Sequence, residues 1–546
     1  MKIKKYILLF SAALLVGACD LDTFPEGSTV TQDQKDKVNA ALPERLQGDL
    51  NALNDVMTLR GSSTDHYMFG IPAIYLMYDM SAQDMTCPVN GYNWFSTPEV
   101  FEDRILTSDY NLFMWNTYYN HIKVANDCIQ LIEKLYPEEE KADNIMNYMA
   151  QALASRAYDY LQLVQTYQFT YIGHENDLAV PIMLENATDE QKINNPRATV
   201  KAVYAQIIKD LNTAISYMED YPIDRANKSQ ISVEVAYGLR ARANLLMGNW
   251  KDAANDAAAA CKNSGTYAPY SAAQIYQIPL FYTIEEPSWL WGITITAESS
   301  VVKSQIVNWP SHLCSLTGMG YTTAAAQTNV AYKSINSNLW AQIQETDVRK
   351  GWWVDERLHS DNFDNYYGAT YASYWANGRF GYTKFDPYVN VKFSPEGGNL
   401  AESTNAQDWP LMRVEEMILI QAEAIARAGD LNGGKQLLTQ FVKNYRDQGF
   451  TSKATTLDEF IDEVWLQRRI ELWGEGFALF DILRLKKPIV RKGANFDKSS
   501  TFNDIKPEDQ IMIYMIPQRE ITANQGISPS DNNPAGVPPR PIGEIE

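Results

Sequence analysis

The 546 residues carry a formal net charge of −20 and are 45% hydrophobic and 12% aromatic. That is enough chain for a large core, as roughly two to four ordinary domains or one extended repeat array, and its acidity argues against nucleic acid, whose phosphates need clustered Lys and Arg. The 32 Tyr and 13 Trp exceed what a core usually needs, and exposed amphipathic rings grip sugars, peptides or partner proteins.

In chain order, Lys2, Lys4 and Lys5 precede an apolar run over residues 7–16 that is too short to span a bilayer, so residues 1–18 read as a secretory signal peptide. The run ends in LLVGAC, which is similar to a bacterial lipobox: Leu, a small pair, then Cys. Cys19 is therefore the expected lipid attachment site, residues 19–34 a polar tether, and residues 35–546 a single body with no further apolar run long enough to cross a membrane. Cys87, Cys128, Cys261 and Cys314 form no CxxC pair and have no His at zinc spacing, and the five His are scattered. No metal and no cofactor is indicated.

Residues 116–135 place Tyr119, Ile122, Ala125, Cys128, Ile129 and Ile132 on one helical face, and residues 144–167 carry an Ala150, Ala154, Ala157, Leu161 stripe suited to close packing. Further helices are expected over 200–218, 233–247 and 250–261. LLMGNWKDAANDAAAA and IARAGDLNGGKQLL share one design, in which a helix, a Gly and a short polar turn lead to a helix starting on small residues. That design resembles tetratricopeptide helix pairs. The expected fold is mostly α: a tetratricopeptide-like helical-pair scaffold at about 116–263 and 411–487, with a loop-rich insertion at about 264–410 carrying a few short strands.

The insertion changes texture. Strand-like SWLWGITIT and YVNVKF are separated by Gly, Asn, Ser and Pro-rich connections, and long ordered loops are usually functional. Aromatics in loop-like polar sequence are the candidate ligand contacts: Tyr92, Asn93 and Trp94 in a Gly-containing loop, then Trp309, Tyr374 and Trp375. The DNFDN run at Asp361 reads as a solvated turn rather than a calcium site.

Residues 464–487, VWLQRRIELWGEGFALFDILRLKK, read as one helix whose buried face is crowded with Arg468, Arg469, Glu471, Glu475, Asp481 and Arg484. On a helix, Arg468 reaches Glu471 and Asp481 reaches Arg484. Gly474 and Gly476 suggest a close backbone approach. Two carboxylates one helical turn apart do not flank a glycosidic bond, so the set reads as a structural ion network rather than as catalytic groups. Glu415, Glu416 and Glu423 read the same way, and no GxSxG, HExxH, P-loop or dinucleotide fingerprint is present.

These blocks together resemble the SusD/RagB family of Bacteroidetes nutrient-binding lipoproteins over nearly the whole chain. WPLMRVEEMILIQAEAIARAGD, residues 409–430, is similar to the family's Arg-x-x-Glu and Ala-Glu-Ala helix. Arg468, Arg469, Glu471, Leu472, Glu475, Gly476, Asp481 and Arg484 match its charged block, Asp347 and Arg349 its Asp-x-Arg corner, and IPQREITANQGIS its closing segment. Phe477 and Ala478 depart from the His or Arg often found after Glu-Gly. The resemblance implies a cell-surface, lipid-anchored outer-membrane protein, not an enzyme. It would hold an oligosaccharide or polysaccharide over a SusC-like TonB-dependent transporter. A peptide-binding role within the family and a surface glycan hydrolase are the other functions left open. Ligand residues vary within the family, so none transfers by motif.

Overall fold

The computed structural model describes residues 46–62, 64–88, 92–136, 142–262, 267–277, 280–322 and 330–542. The signal peptide, Cys19 and the tether lie outside these residues. Helices α1 (Leu46–Met57) and α2 (Ile71–Ser81) precede the long pair α3 (Asp109–Leu135) and α4 (Asp143–Tyr167). Every residue of α4 from Met149 to Tyr167 is buried, so this helix is covered on all sides rather than amphipathic. Its fully buried Ala150, Ala154 and Ala157 let neighbouring axes approach.

The scaffold then runs as a ladder of neighbours. Helix α4 packs on α3 and on α5 (Val200–Asp220), α5 on α6 (Val233–Met247), and α6 on α7 (Trp250–Ala260). After the insertion, α7 packs on α10 (Val414–Arg427), which packs on α11 (Leu431–Tyr445) and α12 (Leu457–Glu471). The insertion carries the short helices α8 (Asp361–Tyr367) and α9 (Ala369–Ala376). Its strand content is small. Strand β1 (Met85–Thr86) pairs antiparallel with β3 (Ser334–Ile335), and β2 (Trp289–Ile293) with β4 (Trp409–Arg413).

Three sequence expectations change. The helical region expected from about residue 411 begins at Val414, because residues 409–413 are spent pairing with β2. YVNVKF makes isolated bridges from Val389 and Asn390 rather than a strand. Residues 464–487 are two helices, α12 and α13 (Ala478–Arg484), separated by a turn. Gly474 and Gly476 sit in that turn at φ 81° and 84°, where an L side chain is strained. What comes close to them is not backbone: a Cβ would meet the Phe393 ring at 2.7 Å from Gly474 and the Tyr75 ring at 2.5 Å from Gly476.

The break re-aims the charges. Arg468 does not bond Glu471; its Nε donates to Asp481 Oδ2 at 2.7 Å, and Arg484 Nε donates to the other Asp481 oxygen at 2.6 Å. Arg469 instead ties to Asp84 at 2.6 Å. Glu471 collects Arg446 (2.7 Å), Arg349 (3.2 Å) and Arg413 (3.2 Å), and Glu475 is gripped through both oxygens by Arg413 and by Lys392. Burial works against the charge of Glu471, but Arg446 and Arg413 outweigh it and hold its carboxyl well below the usual range. Burial likewise opposes Glu423, yet Arg484 and Arg427 bring it down to about 2. Lys392, with the same burial and only partial relief from Glu475, falls to about 8. Such a network carries little net stabilisation over an apolar equivalent, but deleting one member leaves buried charge unpaired.

Candidate ligand-binding site

A hairpin closed by the Arg60–Phe69 bridge presents His66 near its tip. The turn from Gly318 to Tyr321 folds back on Ser311, where Gly320 at φ 138° leaves no room for a side chain: its Cβ would lie 2.4 Å from Ser311. Tyr321 N donates to Ser311 O at 2.7 Å, and the Tyr321 carbonyl accepts from Ala331 N at 2.8 Å. A third loop carries Tyr92 and Trp94. These three segments meet in one column of rings.

Tyr92 stacks on Tyr321 with centroids 6.1 Å apart, Tyr321 on His312 at 4.6 Å, and His312 on Phe69 at 5.3 Å. The column runs from solvent into the core, since Tyr92 is 54% exposed and Phe69 1%. Beside it, the Trp94 ring lies 4.9 Å from His66 and 6.5 Å from Tyr321. The Tyr321 hydroxyl is fixed by His66 Nδ1, and the His312 Nε2 faces the His66 carbonyl at 3.2 Å. Burial and the nearby Arg60 charge lower the His66 pKa, and burial lowers that of His312 well below the usual value, so both rings are neutral at pH 7. The result is an uncharged ring surface, anchored at depth, with the outer face of Tyr92 open to solvent.

Of the expected contacts, Tyr92 and Trp94 belong to this surface. Asn93 is buried and braces it: its Nδ2 donates to Glu99 at 3.1 Å, and its Oδ1 accepts from Phe95 N at 3.1 Å and from Lys333 Nζ at 3.2 Å. Trp309 is a core residue. It opens a short helix, is 1% exposed, donates its Nε1 to Gln407 O at 2.9 Å, and packs edgewise on Phe393 and Trp409. Trp375 is likewise buried, against Tyr382 at 4.5 Å, because residues 369–376 form helix α9 rather than a loop. Tyr374, on the outer side of α9, is 38% exposed under the Arg379 guanidinium and has Tyr371 and Phe380 as exposed neighbours.

Sequence reasoning missed Tyr321 and His66 as site residues. A signal existed for Tyr321, since Gly318 and Gly320 precede it much as Gly91 precedes Tyr92; His66 had none. Among the described residues no group of three or more His, Cys, Asp and Glu could hold a metal, and no helix is long and apolar enough to cross a membrane. Cys87, Cys128 and Cys314 are buried and Cys261 is partly buried.

A family model described as "Starch-binding associating with outer membrane" matches residues 73–245, and a second, "SusD family", matches residues 320–535. The chain belongs to the SusD family. Its fold agrees with solved SusD-like structures. One is a SusD-like carbohydrate binding protein from Bacteroides vulgatus, with TM-score 0.72, 21% identity, and 90% of this chain and 98% of that one covered. A second is a SusD superfamily protein from Bacteroides thetaiotaomicron, with TM-score 0.68, 22% identity, and 90% and 99% covered. A third is surface glycan-binding protein A from Bacteroides thetaiotaomicron in complex with laminarihexaose, with TM-score 0.63, 18% identity, and 88% and 98% covered. No curated protein matches the sequence. The charged block of α12 and α13 is buried within the scaffold, and the ring column is built from other residues.

Proposed function

We propose that this SusD-family protein is a cell-surface lipoprotein that binds an oligomeric glycan and passes it to a SusC-like TonB-dependent transporter. The observation that carries the reading is the Tyr92–Tyr321–His312–Phe69 column with Trp94 and His66 beside it. A sugar ring has an apolar C–H face that stacks on such rings, and a surface held in place before binding loses less entropy on capture. The laminarihexaose complex of a structurally similar protein supports the choice of a glycan as ligand.

Binding without turnover fits the placement of the carboxylates. Glu415, Glu416, Glu471 and Glu475 are all buried and spoken for by arginines, so none is available to flank a glycosidic bond. Anchoring is assigned to Cys19 in the lipobox-like LLVGAC. Retention of residues 20–546 on immobilised glycans, with loss of retention in Trp94→Ala, tests the binding reading; sugar release by the pure protein would contradict it. Cys19→Ala is expected to leave the membrane fraction, and its persistence there in high salt would overturn the anchor.

A further inference from the structure

The hairpin that presents His66 also walls a cavity of about 290 Å³ between α1 and α3. Its apolar side is formed by Met68, Leu112 and Phe113. Its polar side is formed by Arg60 and by Asp109, Asn116 and Asn120, which recur along one face of α3. Asp109, Asn116 and Asn120 are exposed and keep their polar atoms open to solvent, and the Arg60 Nε is buried with no partner among the described residues. In a chain of net charge −20, a partly buried guanidinium with no carboxylate bound to it among the described residues is unusual.

Two further observations define what the cavity accepts. Arg60 and Asp109, its titratable lining groups, are opposite in sign and not paired with each other, so the cavity is balanced yet both groups keep their bonding capacity. The cavity shares the residue 60–69 hairpin with the ring surface, and the buried Tyr67 of that hairpin lies between them, its ring 6.3 Å from Trp94 and 6.4 Å from Phe113.

We propose that this cavity is a second subsite for the same ligand and takes an uncharged, hydroxyl-bearing sugar unit further along the chain from the one stacked on Tyr92. The inference rests on the ring column being a glycan platform. Arg60 donates to hydroxyl oxygens, Asp109 accepts from hydroxyl hydrogens, and the Asn amides do both, while Leu112 and Phe113 cover the C–H face. A uronate or sulfated unit could meet Arg60 but would set a second negative charge near Asp109, which offsets that gain, whereas an uncharged unit uses both groups.

The test uses residues 20–546 on an array of uncharged and uronate-bearing oligosaccharides, followed by titration with the best binder and its shorter fragments. Uncharged glycans are the expected hits. Arg60→Met and Asp109→Asn are each expected to weaken the full-length binder about tenfold or more, leaving the shortest bound fragment unaffected, whereas Trp94→Ala weakens both. Wild-type affinity in the two cavity variants, with Trp94→Ala defective, would refute the subsite and leave the platform standing. Preference for uronate-bearing glycans would refute the charge argument. Unaltered binding in Trp94→Ala, or no bound glycan at all, would remove the platform and the subsite with it.

Discussion

Trp309 and Trp94 both follow polar sequence, yet one is enclosed in the core and the other lies at the edge of a ring surface that is open to solvent. Trp309 has its Nε1 satisfied by Gln407 and its ring enclosed by Phe393 and Trp409. Trp94 lies beside His66, at the edge of a column whose outermost ring, Tyr92, is largely exposed. The difference is supplied by distant chain: Gln407 and Trp409 fold over Trp309, whereas the hairpin at residue 66 and the turn at residue 321 hold the Trp94 region from beneath. The same contrast separates the buried ion network, which is complete within itself, from the ring surface, which keeps an open side.

The largest break in that contrast is expected from Arg413→Met. It removes the guanidinium shared by Glu415, Glu471 and Glu475 and leaves buried carboxylates short of a partner, for a loss of about 3–5 kcal/mol. Urea unfolding measures it; an unchanged midpoint would mean that the network relaxes around the deletion. Trp309→Ala is expected to cost a similar or slightly smaller amount, about 3–4 kcal/mol, through the cavity left among Phe393 and Trp409. Trp94→Ala is expected to cost clearly less in the same experiment, and equal losses would erase the distinction between the two rings.

A smaller effect concerns pH. Burial pushes Asp79 and Glu286 up to about 7, so the fold binds more protons at these sites than the unfolded chain does between about pH 4 and 7. Through these groups stability rises as pH falls across that window. Glu471 and Glu423 act in the opposite sense: burial opposes their charge, but arginines depress both, so their contribution is present above about pH 4.5 and is lost as pH falls towards 2. The thermal midpoint is therefore expected to hold or rise from pH 8 to 5 and to drop below pH 4. A steady fall from pH 8 to 5 would contradict this assignment.

The helical pairs were legible because their apolar spacing is local, and α5, α6 and α7 lie close to where the sequence pattern puts them. The β4 strand was not, because WPLMR runs straight into the periodic pattern of α10 and only its pairing with β2 reveals it. The charged block was readable as structural, but its partners were not. Glu471 is matched by Arg349, Arg413 and Arg446 from other elements, and Arg468, though one turn away on the same helix, is taken by Asp481 from beyond the Gly474 turn. The ring column joins Phe69, Tyr92, His312 and Tyr321 from segments far apart in the chain, and no local pattern marks residues that meet only in the fold.

The central claim is that ligand binding resides in the ring column and not in the aromatic core. Titration of a retained glycan into wild type, Trp94→Ala, Tyr92→Ala and the fold-preserving Trp309→Phe tests it directly. The first two variants are expected to lose about 30-fold in affinity, or about 2 kcal/mol, while Trp309→Phe binds as wild type. Full affinity in Trp94→Ala and Tyr92→Ala, with loss in Trp309→Phe, would contradict it.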